Sequence, residues 1–238
     1  MVNILITICA RGGSVGVPDK NIKEINGMPL IAYTINTAKK LSKKIKCDIA
    51  LSTDSDEIRS IAAKYGLVSE YQRPAELATA TAGKIPVIDA LKNYEELKNK
   101  KQYDFVLDLD VSSPLRTLND LEEAFELLNS SDAYNIFSVN DANRNPYFNM
   151  VEKNEAGYVN LVKDLGAITA RQLSPAVYDM NASFYIFRKS FFEKQFKTSI
   201  TDKSLAYVMK HICFDIDHPI DFKFMELVIN EKIINFEN

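Results

Sequence analysis

Apolar and polar residues fall in blocks along this chain, and the period of the blocks changes as it proceeds. Residues 3–9 (N-I-L-I-T-I-C) form a nearly continuous apolar run rich in Ile, the pattern of a strand buried in a parallel sheet. Leu30, Ile31, Ile35, Ala38 and Leu41 then recur at helical spacing, predicting a helix over 29–43. Residues 47–52 (C-D-I-A-L-S) predict a second strand. Asp54, with Glu57 three residues on, is a capping-box variant for a helix carrying Ile58, Ile61, Ala62 and Tyr65, and Gly66 is its natural C′ residue. A short third strand is expected over 68–71. Pro86 suits the first turn of the next helix, with Ile88, Leu91 and Leu97 facing inward. Strands follow at 105–109 and 135–139, separated by a helix marked by Leu121, Ala124, Phe125 and Leu128.

Such strand–helix alternation implies right-handed crossovers and a mostly parallel, three-layer α/β sheet. Ligands in these folds sit beyond the carboxyl ends of the strands, where residues 10–20 and 110–117 fall. Residues 143–178 are polar and less periodic, with a hairpin over 150–162 turning at 154–157. Strands return at 182–188 and 205–209, and a helix over 219–231 has Pro219 at its first turn.

A chain of 238 residues with 46% hydrophobic content fits one α/β domain spanning 1–238. Its net charge of −3 and lack of a basic tract argue against nucleic acid as a partner. No apolar run reaches membrane-spanning length, and the amino terminus reads as a strand rather than a signal peptide. Cys9, Cys47 and Cys213 show no paired spacing, as expected for reduced thiols in a cytoplasmic protein.

The first strand runs into a loop with Gly12, Gly13, Gly16 and Pro18, and a helix follows. Strand, glycine-rich loop and helix together suit phosphate binding, because small residues let backbone N–H groups approach the oxygens. Arg11 and Lys20 add two positive charges that could bracket a triphosphate. Neither a Walker loop nor the G-x-G-x-x-G dinucleotide fingerprint is present. Near the other end, Asp215-Ile216-Asp217 in extended conformation places two carboxylates on one side, with Ile216 turned toward the core. Such a pair suits Mg²⁺, which takes one or two carboxylates and leaves its other positions to water and phosphates. On spacing alone, two solvated acids, or Asp217 or His218 as a helix cap, are the better reading. His211 lies in a strand-like run, so core or cap roles suit both histidines better than that of a general base.

The loop A-R-G-G-S-V-G-V-P-D-K-N at 10–21 resembles the signature of the CMP-sialic acid synthetase (nonulosonate cytidylyltransferase) family, roughly A-R-x-G-S-K-G-x-P-x-K-N. Val15 stands where that family usually has Lys. D-I-D-H-P-I-D-F at 215–222 resembles the family's D-I-D-x-x-x-D-F, which favours Asp215 and Asp217 as Mg²⁺ ligands and Asp221 as support. Asp110 to Arg116 (D-V-S-S-P-L-R) resembles Q-P-T-S-P-L-R, and Arg73 to Ala78 (R-P-A-E-L-A) and Arg171-Gln172 match further motifs. Asn181 matches the Asn of F-x-x-N-G-x-x-Y. Wording at 145–152 (N-P-Y-F-N-M-V-E) and 179–186 looks most like the legionaminic-acid branch.

The resemblance implies a Rossmann-like nucleotide-diphospho-sugar transferase fold with 143–178 as a protruding dimerisation element, and a homodimer. It implies transfer from CTP to a nine-carbon keto-acid sugar with Mg²⁺ as cofactor and pyrophosphate released. Arg11, Lys20 and the loop residues Gly12, Gly13 and Ser14 would stabilise the leaving group. Arg73 and Asn21 would hold the nucleoside, and Asp110, Arg171 and Asn181 the sugar. Arg116 would brace its loop. Lys84 stands where the family more often has Ser or Thr; it either replaces the ammonium missing at position 15 or is a solvated lysine at a helix start. Asp110 in place of Gln, and Asp179 where some sialic-acid enzymes have Arg, point away from N-acetylneuraminate. An N-acetylneuraminate or Kdo enzyme, or a nucleotide-binding paralogue without turnover, are the competing readings.

Overall fold

The computed structural model describes residues 2–14, 16–166 and 168–234. Val15 therefore lies outside the described residues. In chain order the elements begin with β1 (Ile4–Cys9), β2 (Glu24–Ile25), β3 (Met28–Pro29), α1 (Leu30–Lys44), β4 (Cys47–Ser52), α2 (Asp56–Lys64) and α3 (Lys84–Asn99). They continue with β5 (Phe105–Leu109), α4 (Leu118–Asn129), β6 (Asn135–Asp141), β7 (Val151–Lys153) and β8 (Val159–Leu161). The last are β9 (Tyr178–Arg188), α5 (Lys189–Glu193), β10 (Ser204–Val208) and α6 (Pro219–Asn230).

Six strands form one sheet in the order β10-β6-β9-β5-β1-β4. β1 pairs in parallel with β4 and β5, and β10 with β6, while β9 runs antiparallel between β5 and β6. The alternation within β1 separates the two faces. Ile4, Ile6 and Ile8 pack with buried residues of α1, α2, α4 and α6, whereas Leu5 packs with Ala50, Leu91 and Tyr103 on the side of α3. Ile85, Ile88, Phe187 and Phe191 extend the second core beneath β9. Helices therefore cover both faces, the three-layer arrangement that the alternation predicts.

The structure departs from the sequence reading at four places. Residues 68–71 are not a strand, although they run beside the edge strand β4. Ser69 Oγ donates to Leu51 O at 2.8 Å, and Arg59 Nη1 donates to the carbonyls of Ser69 (3.3 Å) and Tyr71 (2.9 Å), so side chains take the place of a ladder. The N-cap of α2 is Ser55, whose hydroxyl accepts from Ile58 N; Asp54 turns instead to the Gly12 N–H at 2.9 Å. Leu97 faces outward, 81% exposed, because the inward stripe of α3 runs through Ile85, Ile88, Leu91 and Glu95. β9 begins at Tyr178, four residues earlier than the apolar pattern indicates, because its first residues pair with the end of β6 beyond a bulge.

The hairpin expected at 150–162 is β7–β8, turning through Gly157 at φ +88°. No helix among the described residues is long and apolar enough to cross a membrane.

Candidate active site

A cleft of about 390 Å³ opens at the carboxyl ends of β1, β4 and β5. One wall is the glycine-rich loop. Ala10 N donates to Ser52 O, Asn21 Nδ2 holds Arg11 O at 2.9 Å, and Gly13 takes φ +63°. Gly16 is required by a close approach: a Cβ there would overlap the carbonyl oxygen of Asp217. The loop is thereby seated directly on the Asp215–Asp217 segment. Lys20 crosses the same junction, donating to Ile216 O and lying 3.6 Å from Asp217 Oδ1.

The floor belongs to the turn after β5. Arg116, 2% exposed, donates to the carbonyls of Asp110 (3.0 Å), Ser113 (2.8 Å) and Ser183 (2.7 Å), so the expected brace is observed. Burial lowers its pKa to about 10. Asp110 Oδ1 accepts from Ser112 N at 2.8 Å and Ser112 Oγ at 2.7 Å, and Oδ2 lies 2.5 Å from Lys84 Nζ. Burial pushes the Asp110 carboxyl up, but Lys84 and Ser112 outweigh it and hold it at about 2. Lys84 also reaches Asp108 Oδ2 at 3.2 Å and sits 4.8 Å above the Tyr185 ring. Burial disfavours its charge, yet Asp110 and Asp108 raise its pKa well above the ordinary lysine value. Asp108, fully buried, is tied to Thr7 Oγ1 at 2.8 Å across the β1–β5 pairing.

The opposite wall carries Arg73, Leu77, Thr79, Ala80, Ala82 and Val87. Arg73 is 7% exposed; its Nε and Nη2 donate to Ser52 Oγ and O at 2.9 and 2.8 Å. Cys9 lies beneath, and burial, with Asp108 beside it, keeps its thiol protonated.

Of the residues singled out from the sequence, the cleft brings together Arg11, Ser14, Lys20, Asn21, Arg73, Lys84, Asp110 and Asp217. Gly12 and Gly13 line a smaller pit on the other side of the loop, and the Gly12 amide is engaged by Asp54. Arg171, Asn181 and Asp215 do not line the cleft. Arg171 donates to Ala142 O. Asn181 is 4% exposed and works as a strut at the β6–β9 bulge: Nδ2 donates to Asn140 Oδ1 at 2.6 Å, and Oδ1 accepts from Ser138 Oγ at 2.6 Å. Each end of the amide has a partner within the chain, so in this arrangement Asn181 braces the bulge outside the cleft. Ser112 and Tyr185 escaped the sequence reading. Ser112 lay in a quoted motif without a role, and Tyr185 meets Lys84 only through the fold.

Asp215 and Asp217 flank the fully buried Ile216, whose N–H donates to Ser112 O at 2.9 Å. Asp221 accepts from the amides of Asp217 (3.0 Å) and His218 (2.6 Å), fixing the segment to the start of α6. Burial and the Asp217 charge raise the Asp215 pKa. Among the described residues no three His, Cys, Asp or Glu side chains gather into a metal cage. Mg²⁺ needs only one or two protein carboxylates, and two mutually repelling ones fit it.

The family model for cytidylyltransferases matches residues 5–234, which include both the glycine-rich loop and the Asp215–Asp217 segment. The chain belongs to that family, in its CMP-nonulosonate branch. This cytidylyltransferase is 44% identical over 233 residues to the post-translational flagellin modification protein B of Campylobacter coli, covering 98% of this chain and 97% of that protein. It is 42% identical over 233 residues to the CMP-N,N′-diacetyllegionaminic acid synthase of Campylobacter jejuni, with the same coverage. Its fold, that of nucleotide-diphospho-sugar transferases, is shared with a CMP:2-keto-3-deoxy-manno-octonic acid synthetase solved with CTP. The TM-score is 0.65 at 12% identity, over 97% of this chain and 99% of that one. The cytidylyltransferase is thus a CTP-dependent nucleotidyltransferase.

Proposed function

We propose that this enzyme transfers the cytidylyl group of CTP to a legionaminic-type nine-carbon keto acid, giving the CMP-sugar and pyrophosphate. The observation that carries the choice of sugar is the end-to-end identity with the diacetyllegionaminic acid synthase. Arg73, whose Nη1 has no partner among the described residues, and Asn21 hold the nucleoside at the β4 side of the cleft. Arg11 and Lys20, with Ser14 and Gly16 of the glycine loop beside them, face the β- and γ-phosphates and stabilise charge that grows on the leaving pyrophosphate. The Lys84–Asp110 pair lines the same cleft and orients the acceptor as one unit, because each carboxylate oxygen of Asp110 already has a partner and the ammonium, bonded to Asp108 and Asp110, has one N–H left to donate.

Asp215 and Asp217 would hold Mg²⁺, which when bound neutralises phosphate charge and aligns the chain for in-line displacement. The β7–β8 ribbon exposes Val151 (58%), Tyr158 (74%) and Val159 (61%), an apolar surface suited to a second copy of the chain in a homodimer. Three free thiols suit a reducing, cytoplasmic setting.

The test is the ratio of kcat/KM for N,N′-diacetyllegionaminate to that for N-acetylneuraminate. A ratio well above unity is expected; equal values, or a preference for N-acetylneuraminate, would remove the legionaminic assignment and leave the cytidylyltransferase.

A further inference from the structure

Residues 209–218 join β10 to α6 without regular secondary structure and carry Asp217 to the cleft, with Asp215 two residues before it. With no ladder of its own, the segment is held by separate moorings. Met209 N donates to Val139 O at 2.8 Å, Asn140 Nδ2 donates to His211 O at 3.1 Å, and Ile216 N donates to Ser112 O at 2.9 Å. Between them His211 reaches across to α4. Its Nε2 lies 2.9 Å from Asp120 Oδ2, and its Nδ1 lies 3.0 Å from Ile212 O.

Both partners are acceptors. An ionised carboxylate has no proton to give, and a carbonyl never has one. A histidine bonded to both must carry two N–H groups, so this geometry is that of an imidazolium. Asp120 is built to receive it. Its side chain is 3% exposed and accepts from Thr117 N and Oγ1, both at 2.7 Å, and from Tyr207 OH at 3.1 Å. The charged groups bonded around it are Asp120 and Glu123 from α4 and Lys210 from the segment itself; the β6 residue that bonds it is the neutral Asn140, with Asp141 next along the strand. Glu123 is engaged by Lys210 at 2.7 Å and Tyr207 at 2.8 Å, which leaves Asp120 as the charge that His211 answers.

We propose that His211 is a positioning residue: as an imidazolium it pins the carboxylate-bearing segment to Asp120 in the first turn of α4, and on losing a proton it lets that segment loosen. The hydrogen bond to Asp120 outweighs burial and raises the His211 pKa above its ordinary value. The charge-assisted brace is therefore complete at low pH and weakens as pH rises through that pKa, where neutral His211 keeps a single N–H for one of its two acceptors. The effect on turnover rests on Asp215 and Asp217 serving the reaction; the brace itself does not.

The experiment follows two readouts against pH in the wild type, His211→Gln and His211→Ala: kcat, and hydrogen-exchange protection of the Ile216 amide corrected for its intrinsic rate. Both should fall together in the wild type on the alkaline side, by about tenfold, the order expected for one charge-assisted hydrogen bond. His211→Gln, which offers Asp120 one neutral donor at every pH, should show no alkaline fall. Its constant value should match the wild type's alkaline one, because neutral imidazole also keeps one N–H; His211→Ala, with no donor, should lie at or below it at every pH, and the Gln variant carries the test if the Ala protein does not fold. An alkaline fall that persists in His211→Gln, or Ile216 protection unaltered in a folded His211→Ala, would overturn the proposal. Protection that follows His211 while kcat does not would leave the brace standing and remove Asp215 and Asp217 from the reaction.

Discussion

Lys84 Nζ lies 2.5 Å from Asp110 Oδ2, joining the first residue of α3 to the turn after β5. The pair sits in the cleft with Asp108 3.2 Å from the same ammonium. Removing the lysine alone leaves two carboxylates facing each other in a largely dehydrated site. Lys84→Met should destabilise the protein by about 2–3 kcal/mol, below the full range for breaking a buried pair because the lysine side chain is 30% exposed. Adding Asp110→Asn should recover part of that loss. Strictly additive effects in denaturant titrations would mean the two residues do not act together.

The same pair sets an acid limit. The folded Asp110 carboxyl lies at about 2, below the ordinary aspartate value of about 3.9. Its contribution to stability is therefore complete above about pH 4 and is lost as pH falls through about 2. Urea midpoints measured between these limits should fall less in Asp110→Asn than in the wild type. An identical fall in both would assign the acid loss to other groups.

Gly16 packs so closely on the Asp217 carbonyl that any side chain must push the glycine-rich loop and the carboxylate segment apart. Gly16→Ala should cost about 1–3 kcal/mol in stability. Turnover should fall at least about tenfold, since small misplacements of reacting groups are expensive. Wild-type turnover in this variant would show that the contact is not part of the working geometry.

Much of this fold was legible because it rests on local pattern. The Ile-rich run of β1, the helical spacing in α1 and the D-I-D segment each announce themselves within a few residues. What the sequence hid are pairings set by the fold. Lys84 and Asp110 are 26 residues apart, and His211 and Asp120 are 91 apart, with neither spacing carrying a signal. Residues 68–71 misled because Val68 and Tyr71 suit a strand, whereas Arg59, one helix away, takes the carbonyls. Asn181 stands out in its motif, but its ties to Asn140 and Ser138 at the bulge carry no signal in the sequence.

Asp217 is largely exposed, with 66% of its side chain open, so Asp217→Asn should fold normally. Its kcat should drop by more than about 100-fold, with a changed Mg²⁺ dependence. Unaltered kcat and Mg²⁺ dependence would remove this carboxylate as a ligand. Arg11→Ala should lower kcat more than it raises the KM for the sugar, because its partner is charge that develops in the transition state. A change confined to the sugar KM would move Arg11 to the other end of the cleft.

The most direct measurement is pyrophosphate release by the purified protein, followed with each of the four ribonucleoside triphosphates and with or without a nonulosonic acid. A CMP-nonulosonate synthetase will release pyrophosphate only when CTP and the keto-acid sugar are both present, one equivalent for each CMP-sugar formed. Release without the sugar, equal release from the other triphosphates, or no release with any nonulosonic acid would contradict the assignment.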